Sequence, residues 1–243
     1  MEEKLIVSII TTAYNAKSTI ETTISSVLNQ TYDAIEYIII DGKSTDGTIE
    51  ILQKYSNKIK FISEDDDGIY DAMNKALDLA TGDFIYFLGA DDTFYDDHVV
   101  ENVVKSIINK DEIYYGDVYM AELHKTYWGK FNRIKLGIGN ICHQSIFYPK
   151  AVYKNFHYNL DYKIYADYFY NLSLYNKIKF NYVNTIIANF SVLGASQYME
   201  DKKFAQVKKL LVINELGYLA FIASNVYHSL RKLKNIIKGV SYR

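Results

Sequence analysis

The chain has 243 residues, of which 49% are hydrophobic and 23% are charged, and this composition predicts a folded domain and excludes an intrinsically disordered chain. The net charge of −2 combines two unlike parts, because residues 1–201 carry 18 basic and 28 acidic residues whereas residues 202–243 carry 9 basic and 1 acidic. The basic C-terminal part is expected to meet an anionic surface.

The first elements alternate between strands and helices. Residues 5–11 and 36–40 are apolar and rich in β-branched side chains, which predicts strands buried on both faces. A helix is expected between them, with Ser18 as its N-cap and Glu21 at the reciprocal position of a capping box. The alternation continues with a helix near 48–55, a strand over 60–63, a helix near 69–80 and a strand over 84–88. This order predicts an open, mostly parallel α/β sheet flanked by helices.

The alternation weakens in the second half of the chain. There we expect a strand over residues 112–118, a flexible loop over 137–140 and a helix over 161–175. Internal repeats and low-complexity linkers are absent from the sequence. The pattern therefore predicts that the second half completes the same domain.

Carboxylates follow the ends of two predicted strands, and ligands of open α/β sheets bind at this edge. Asp41 ends the second strand, where its carboxylate can accept a hydrogen bond from a nucleobase or ribose; the alternative is an ordinary loop residue. Asp91 and Asp92 follow the fourth strand, where they can hold a divalent cation beside a diphosphate. The alternative for this pair is a helix cap or a solvated loop.

Several common site motifs are missing from the sequence. The first strand is not followed by GxGxxG, and GxxxxGK[ST] is absent, which argues against a dinucleotide site and a P-loop. The five histidines and the one cysteine lack zinc-binding spacing, and a GxSxG motif is absent. We therefore expect the chemistry to rest on carboxylates, loops and a metal ion.

Four segments, in order, resemble the signature of family 2 glycosyltransferases with the GT-A fold. They are VSIITTAYN at 7–15, IDGKSTDGT at 40–48, DGIYDAMNK at 67–75, and 80–92, which begins ATGD and ends GADD. Weaker matches occur at 115–117, 143–144, 166–168 and 190–196. The resemblance implies a GT-A-like fold and an inverting sugar transfer from a nucleotide-diphosphate sugar, with UDP-sugar preferred.

The resemblance also assigns roles to individual residues. It implies that seven residues bind the nucleotide sugar, which are Thr12, Ala13, Tyr14, Asp41, Asp67, Asn74 and Asp91. Asp41 is expected to contact the base, and Asp92, with Asp91, to hold Mn²⁺ or Mg²⁺. The family often has Asp-x-Asp-Asp here, and Gly89 at its first position leaves one carboxylate fewer.

An inverting transfer needs a general base that removes the proton of the acceptor hydroxyl. The resemblance implies that Asp167 is this base, although Ala166 replaces the common Glu; the alternative is an exposed helix residue. His143 is a candidate for a phosphate or acceptor contact, or for a hydrogen bond within the core. Trp128, beside Tyr127, can stack on an acceptor sugar or pack inside the protein.

The expected organisation has three parts: residues 1–115 bind the nucleotide sugar, residues 116–201 bind the acceptor and supply the base, and residues 202–243 form a basic amphipathic helical tail. Apolar residues recur in this tail at helical spacing, at Ile222, Val226, Leu230, Leu233, Ile237 and Val240. Arg231, Lys232, Lys234 and Lys238 fall on the other side of the helix. This arrangement is typical of a helix lying in a membrane interface beside anionic lipid. The alternative is a helix that docks this apolar stripe on the catalytic domain.

The expected location is cytoplasmic and peripheral on the inner face of the cell membrane. The lone Cys142 excludes a disulfide framework and favours a reducing compartment. The N-terminus lacks the basic region of a signal peptide, and no stretch approaches the roughly 18 apolar residues of a membrane span. We expect a lipid-linked saccharide acceptor in bacterial O-antigen or capsule synthesis, and no nucleic-acid partner.

Two other functions are weighed against this one. A nucleotidyltransferase shares the α/β architecture, but it usually has a glycine-rich loop with a basic residue after its first strand, and residues 12–18 lack that pattern. A non-catalytic membrane module with the same fold is favoured by Gly89 and Ala166, and is disfavoured because Asp41, Asp92 and Asp167 are all present.

Overall fold

The computed structural model describes residues 4–127, 129–191 and 201–237, with side chains to residue 234. The strands are β1 (Val7–Ala13), β2 (Ile35–Asp41), β3 (Lys60–Ser63), β4 (Phe84–Phe87), β5 (Thr93–Phe94), β6 (Ile113–Met120), β7 (Lys125–Thr126), β8 (Ile146–Pro149) and β9 (Phe180–Asn189). The helices are α1 (Ile20–Leu28), α2 (Thr48–Lys54), α3 (Ile69–Leu79), α4 (Val99–Ser106), α5 (Arg133–Ile138), α6 (Lys150–Tyr153), α7 (Ala166–Leu174), α8 (Lys202–Leu216) and α9 (Tyr218–Ile237).

The strands form one sheet in the order β3-β2-β1-β4-β8-β6-β9-β5, with β7 paired to β6. The predicted α/β sheet is therefore present, and its first four strands are parallel. In the second half, β8 runs antiparallel to both β4 and β6, whereas β9 is parallel to β6. Antiparallel neighbours need no crossover helix, which explains why the strand–helix alternation weakens there. The expected division after residue 115 falls inside β6, so the two halves share the sheet.

Helices cover both faces of the sheet. Alternate residues of β1 point to opposite faces, so Ile9 packs in a core with α1, α2 and α4, while Ile10 packs in a core with α3 and α7. The same alternation places Ile39 in the first core and Ile38 in the second. Burial on both faces explains why the first two strands are continuous apolar runs.

The start of α1 differs from the prediction. Its N-cap is Thr19, whose side chain makes no capping hydrogen bond, and the expected capping box of Ser18 and Glu21 does not form. Thr19 Oγ1 instead donates to the Ala16 carbonyl at 3.3 Å, and Glu21 accepts from the Tyr55 hydroxyl at 3.1 Å. A bond to the preceding turn and a contact with the distant Tyr55 therefore take the place of the capping box.

The expected flexible loop at 137–140 was wrong in its first half, because α5 extends to residue 138. Gly137 lies in this helix and contacts α9; a Cβ at Gly137 would come within 3.2 Å of the Ala220 carbonyl oxygen. Ser224 Oγ of α9 donates to the Gly137 carbonyl at 2.8 Å. The glycine thus permits close approach of two helices rather than loop flexibility.

The C-terminal extension is two helices separated at Gly217, which has φ +90°. Phe204, Val212 and Leu216 of α8 are buried in the core beside α7. The Asp201 carboxylate accepts from Phe204 N at 2.9 Å and also from Ile164 N at 3.1 Å, so it caps α8 and holds the segment before α7. Helix α8 is therefore part of the main domain rather than of a separate tail.

Helix α9 docks through small residues, because Ala220 and Ser224 are buried. The described members of the predicted apolar stripe stay exposed, with 45% exposure for Ile222, 53% for Val226, 61% for Leu230 and 55% for Leu233. The side chain of Ile237, and Val240, lie outside the described residues. Docking of the stripe on the domain is thus not observed. Among the described helices, none is long and apolar enough to cross a membrane.

Candidate active site

The loops that follow β1 and β2 form one surface. Ala13 is the register partner of Asp41, so both loops leave the sheet at the same level. Asn15 N donates to Ser44 Oγ at 2.7 Å, and Thr45 N donates to Asn15 Oδ1 at 2.9 Å. Hydrogen bonds between residues about thirty positions apart therefore fix the shape of this edge.

Asp41 lies fully buried below this surface. Its carboxylate accepts hydrogen bonds from Ser44 N at 3.0 Å, from Ser44 Oγ and from Ser63 Oγ at 2.7 Å. A carboxylate has about four acceptor positions, so these donors leave room for one more. The observed role of Asp41 is to hold the loop, and its contact with a nucleobase stays a prediction.

The side chains of Tyr14 and Asp66 approach Gly42, and the surface formed by these three residues is here called the β1–β2 crevice. The Tyr14 side chain is 70% exposed. A Cβ at Gly42 would lie 2.5 Å from Asp66 Oδ2 and 3.4 Å from Tyr14 Cδ2, so the glycine leaves space for both groups. Thr12 and Ala13, at the end of β1, are half-buried and buried. An exposed ring beside a carboxylate suits a nucleobase, which offers both a π-face and N–H donors.

Two predicted nucleotide-binding residues are used elsewhere in this structure. The Asp67 side chain is exposed, and it is Asp66 that approaches the crevice. The Asn74 amide donates to the Tyr158 carbonyl at 2.9 Å and accepts from Tyr158 N at 2.8 Å. Asn74 therefore joins α3 to the segment before α7, and its contact with the nucleotide sugar stays a prediction.

Asp91 and Asp92 converge at the end of β4. A Cβ at Gly89 would overlap Asp92 Oδ2 and come within 3.1 Å of Asp91 Oδ1. Both carboxylates therefore lie close to the Cα of this glycine. Asp92 is buried and its Oδ1 accepts from Ser191 N at 2.8 Å, whereas Asp91 is exposed. Burial raises the pKa of Asp92 to about 7, and the Ser191 N–H partly opposes this shift.

The residues over Gly89 fit a divalent cation that is shared with a substrate. Among the described residues, no cluster of three or more metal-binding side chains exists, so the protein alone offers two carboxylates. Mg²⁺ and Mn²⁺ are often held by one or two carboxylates together with substrate phosphates and water. Asp92 and Asp91 meet that requirement, and the remaining ligands would come from a diphosphate.

His143 has a core role rather than the predicted phosphate or acceptor contact. It is buried, its Nε2 lies 2.8 Å from the Tyr158 hydroxyl, and its ring stacks on Phe87 at 4.8 Å. Burial lowers the pKa of His143 to about 3, so the ring is neutral and offers no positive charge to a phosphate. Trp128, the predicted sugar-stacking residue, lies outside the described residues.

Gln144 is the member of the His-Gln pair that faces the carboxylates. Its side chain lies near enough to Asp92 to lower the pKa of that carboxyl, and its Oε1 accepts from Cys142 Sγ at 3.3 Å. The sequence contained the His143–Gln144 match, but it offered no signal for choosing the glutamine over the histidine.

Asp167 lies in the first turn of α7, where the helix dipole favours a negative charge. Its Oδ1 accepts from the Tyr70 hydroxyl at 2.9 Å and its Oδ2 from Asn140 Nδ2 at 2.7 Å. Burial raises the pKa of Asp167 to about 6, against the lowering effect of these donors. The carboxylate is therefore held within the structure, and the alternative of an exposed helix residue was wrong.

Tyr70 has two acceptors for one proton. Its hydroxyl oxygen is 2.6 Å from the Ile164 carbonyl and 2.9 Å from Asp167 Oδ1. The hydroxyl donates to Asp167 while that residue is ionised, and it can donate to Ile164 when Asp167 is protonated and donates back. Both protonation states of Asp167 thus have a hydrogen-bond partner, as a proton acceptor in a reaction cycle requires.

Residues 140–144 connect the two carboxylate centres. Asn140 hydrogen-bonds to Asp167, and Gln144 lowers the pKa of Asp92. Between them, burial raises the pKa of the Cys142 thiol, and the charges of both carboxylates add to that rise. Asp92 and Asp167 therefore both lie near this short segment, although 75 positions separate them in sequence.

The chain is similar in sequence to known glycosyltransferases. The family model "Glycosyl transferase family 2" matches residues 8–182. The "PGL/p-HBAD biosynthesis glycosyltransferase" of Mycobacterium bovis is 32% identical over 221 residues, which cover 86% of each chain. The "Putative teichuronic acid biosynthesis glycosyltransferase TuaG" of Bacillus subtilis is 44% identical over 98 residues, or 39% of each chain.

Solved structures share the fold at low sequence identity. S. aureus TarS 1–349 in complex with UDP superposes with a TM-score of 0.70 at 17% identity, and the match covers 87% of this chain and 66% of that one. The mannosyltransferase PcManGT from Pyrobaculum calidifontis, in complex with GDP-Man and Mn²⁺, gives a TM-score of 0.64 at 15% identity, covering 93% and 65%. This chain thus spans about two thirds of the length of either structure.

Proposed function

Because the chain belongs to glycosyl transferase family 2, with the GT-A fold, and is a glycosyltransferase, we propose that it transfers a sugar from a nucleotide-diphosphate sugar to a hydroxyl group with inversion. The observation that carries this proposal is the pair of carboxylate centres joined by residues 140–144. One centre is Asp167, a half-buried carboxylate whose partner Tyr70 has two acceptors, and the other is the Asp91–Asp92 pair. A displacement at an anomeric carbon needs a proton acceptor on one side and stabilisation of a leaving diphosphate on the other.

The proposed reaction balances as a single displacement. The acceptor oxygen forms a bond to the anomeric carbon, the bond from that carbon to the diphosphate oxygen breaks, and Asp167 takes the hydroxyl proton. Asp92 and Asp91 would hold Mn²⁺ or Mg²⁺ against the diphosphate. The cation would supply Lewis-acid stabilisation of the leaving group.

The β1–β2 crevice is the proposed place of the nucleotide. Tyr14 offers a ring for the base, and Asp41 and Asp66 offer carboxylates for its N–H groups. Thr12 and Ala13 would line the same site. A UDP-sugar is the preferred donor, which is supported by the TarS structures with UDP and UDP-GlcNAc.

The proposed acceptor is a lipid-linked saccharide at the cytoplasmic face of the membrane, in synthesis of a surface polysaccharide such as O-antigen or capsule. The names of the relatives, which refer to teichuronic acid and to PGL, support a cell-surface product. The exposed stripe of α9 supports a membrane contact, since the same helix carries the exposed basic residues Arg231, Lys232 and Lys234. An amphipathic helix with an apolar stripe and basic residues suits an anionic lipid surface.

A ligand screen tests the donor assignment. Purified protein is heated with UDP-, GDP- or dTDP-sugars, with and without Mn²⁺, and we expect UDP-sugars with Mn²⁺ to raise the unfolding temperature most, because a ligand of the native state stabilises it. No rise with any nucleotide sugar would contradict the donor site. Release of pyrophosphate in place of nucleoside diphosphate would identify a nucleotidyltransferase instead.

Membrane contact is tested with lipid vesicles and the full chain. Replacing Ile222, Val226 and Leu230 together by Ser is expected to weaken binding to phosphatidylglycerol vesicles at least tenfold, since burial of each apolar side chain contributes roughly 1.5–3 kcal/mol. Ile108→Ser, a change at a residue 97% exposed on another surface, is the control and should leave binding intact. Equal vesicle binding by the triple variant and wild type would refute the membrane role of the stripe.

A further inference from the structure

Hydrogen bonds continue from Asp167 into the core through three side chains. Asn140 Nδ2 donates to Asp167 Oδ2 at 2.7 Å, and Asn171 Nδ2 donates to Asn140 Oδ1 at 2.9 Å. Behind them, the Tyr148 hydroxyl donates to Asn171 Oδ1 at 2.7 Å. Asn171 and Tyr148 have no exposed surface. This row, the Tyr148–Asn171–Asn140 relay, joins β8, α7 and the loop after α5.

The direction of the relay follows from the charge of its last member. An ionised carboxylate can only accept hydrogen bonds, so Asn140 must present its amino group to Asp167. The Asn140 oxygen then faces Asn171, which must donate, and the Asn171 oxygen in turn faces the Tyr148 hydroxyl. All three donors point toward Asp167, and each bond polarises the next.

We propose that Tyr148, Asn171 and Asn140 are positioning residues that fix the plane of the Asp167 carboxylate and stabilise its ionised form. The inference rests on the proposed role of Asp167 as base. The carboxylate can rotate about its Cα–Cβ and Cβ–Cγ bonds, and hydrogen bonds on both oxygens prevent that rotation. Because Tyr70 can turn its single proton to Ile164, Asn140 is the partner that holds Asp167 continuously.

The titratable groups that surround Asp167 are neutral, so its ionised form is stabilised by hydrogen-bond donors rather than by a positive charge. The titratable groups that face it are Tyr70 of α3, Tyr127, Cys142, Tyr148 of β8, Tyr158, and Tyr165 and Tyr168 of α7. Burial raises the pKa of every one of them, so they are neutral at physiological pH. Two charged groups border the set: Lys208 of α8 lies 5.0 Å from the Tyr168 ring, and Asp201 binds Ile164 N.

The test follows the titration of Asp167 directly, in the full chain. The side-chain carboxyl ¹³C resonance is assigned by its loss in Asp167→Asn, and its midpoint is measured in wild type and variants. We expect a wild-type midpoint near the pKa of about 6. Asn140→Ala should raise the midpoint by about one unit, since it removes a hydrogen bond to a charged group. Tyr148→Phe, which removes only a distant hydroxyl, should raise it by a smaller, measurable amount.

Tyr170→Phe is the matched control. Tyr170 stacks against Tyr148 with ring centroids 5.4 Å apart, but its hydroxyl donates to the Phe156 carbonyl outside the relay. The midpoint should not move in this variant. If Tyr148→Phe and Asn140→Ala, both folded by circular dichroism, keep the wild-type midpoint, the relay has no role. If Asn140→Ala does not fold, Tyr148→Phe alone decides.

Failure of the relay proposal can be distinguished from failure of the proposed function. The midpoint can be measured without a donor or acceptor, so absence of sugar transfer with a shifted midpoint would reject the function and keep the effect of the relay on Asp167. Transfer with an unshifted midpoint would reject the relay alone. In the active enzyme, the acid limb of kcat/KM should move with the midpoint while the KM for the donor stays constant, which a purely structural role would not produce.

Discussion

Asp167→Asn is expected to reduce sugar transfer by roughly 10²–10⁴-fold, because the amide cannot take the proton of the acceptor hydroxyl. The fold should be unaffected. The new amide oxygen can accept from Asn140, and its amino group can donate to Tyr70 while Tyr70 donates to Ile164. Binding of the nucleotide sugar should also stay near wild type, since the β1–β2 crevice lies on other elements.

The same substitution is expected to stabilise the protein at high pH. The pKa of Asp167 is about 6 in the folded state, above the value of 3.8 expected for an unfolded chain. The folded state therefore binds the proton more tightly, and its stability falls as pH rises from about 4 to above 6, by up to about 3 kcal/mol. Asparagine lacks this ionisation, so Asp167→Asn should be more stable than wild type at pH 8 and similar to it at pH 4.

Two measurements check this combination. Transfer is followed as release of nucleoside diphosphate, and in wild type it should fall about tenfold per pH unit below pH 6 as Asp167 becomes protonated. Unfolding by urea at pH 4 and pH 8 gives the stability difference. Asp161→Asn is the control, because Asp161 is an exposed carboxylate of the same region that pairs with Lys203. Retention of full activity by Asp167→Asn would remove it as the base.

Asp92→Asn is expected to reduce transfer by about 10²-fold or more, because it removes the principal charge that would hold the cation against the leaving diphosphate. Its effect should appear in both kcat and the concentration of Mn²⁺ needed for half-maximal activity. Asp111→Asn, at an exposed carboxylate away from this site, should change neither quantity. Full activity of Asp92→Asn in the presence of EDTA would show that the carboxylate does not act through a metal.

Gly89→Asp restores the family's usual first carboxylate, and it is nevertheless expected to lower activity. A Cβ at this position overlaps Asp92 Oδ2 and lies 3.1 Å from Asp91 Oδ1, so both existing carboxylates must move. Gly89→Ala adds only the Cβ, so we expect it to lose less activity than Gly89→Asp. Its activity should also depend less strongly on the Mn²⁺ concentration than that of Gly89→Asp. Higher activity of Gly89→Asp would mean that the site is incomplete without a third carboxylate.

Local sequence patterns predicted the elements of the first half well. Residues 5–11 and 36–40 correspond closely to β1 and β2, because these two strands are mostly buried and their residues are mainly apolar. Residues 60–63 also match β3, although this strand lies at the edge of the sheet and its residues are exposed or half-buried. The cap of α1 could not be predicted in the same way. The Glu21 carboxylate accepts from the distant Tyr55 instead of closing a capping box, and such a tertiary contact can replace a capping bond of about 1 kcal/mol.

The sequence periodicity of α9 predicts an amphipathic helix, and the structure shows which of its faces is exposed. Periodicity identified an amphipathic helix, but two outcomes, docking on the domain and exposure, have the same period. The structure distinguishes them because the small residues Ala220 and Ser224 approach Gly137, which turns Ile222 and Val226 outward. Side-chain size at the contact, rather than hydrophobicity, decided which face docks.

The sequence by itself determined that this chain is an α/β protein with carboxylates at the strand ends, and its motifs identified the family. Only the tertiary structure decided which side chains meet. It placed His143 and Asn74 in packing contacts with Tyr158, and it brought Asn140 to Asp167 and Gln144 to Asp92. The physical reason is that strand and helix periodicities reflect burial over a few neighbouring residues, whereas a hydrogen bond between residues 15 to 84 positions apart depends on how whole elements pack.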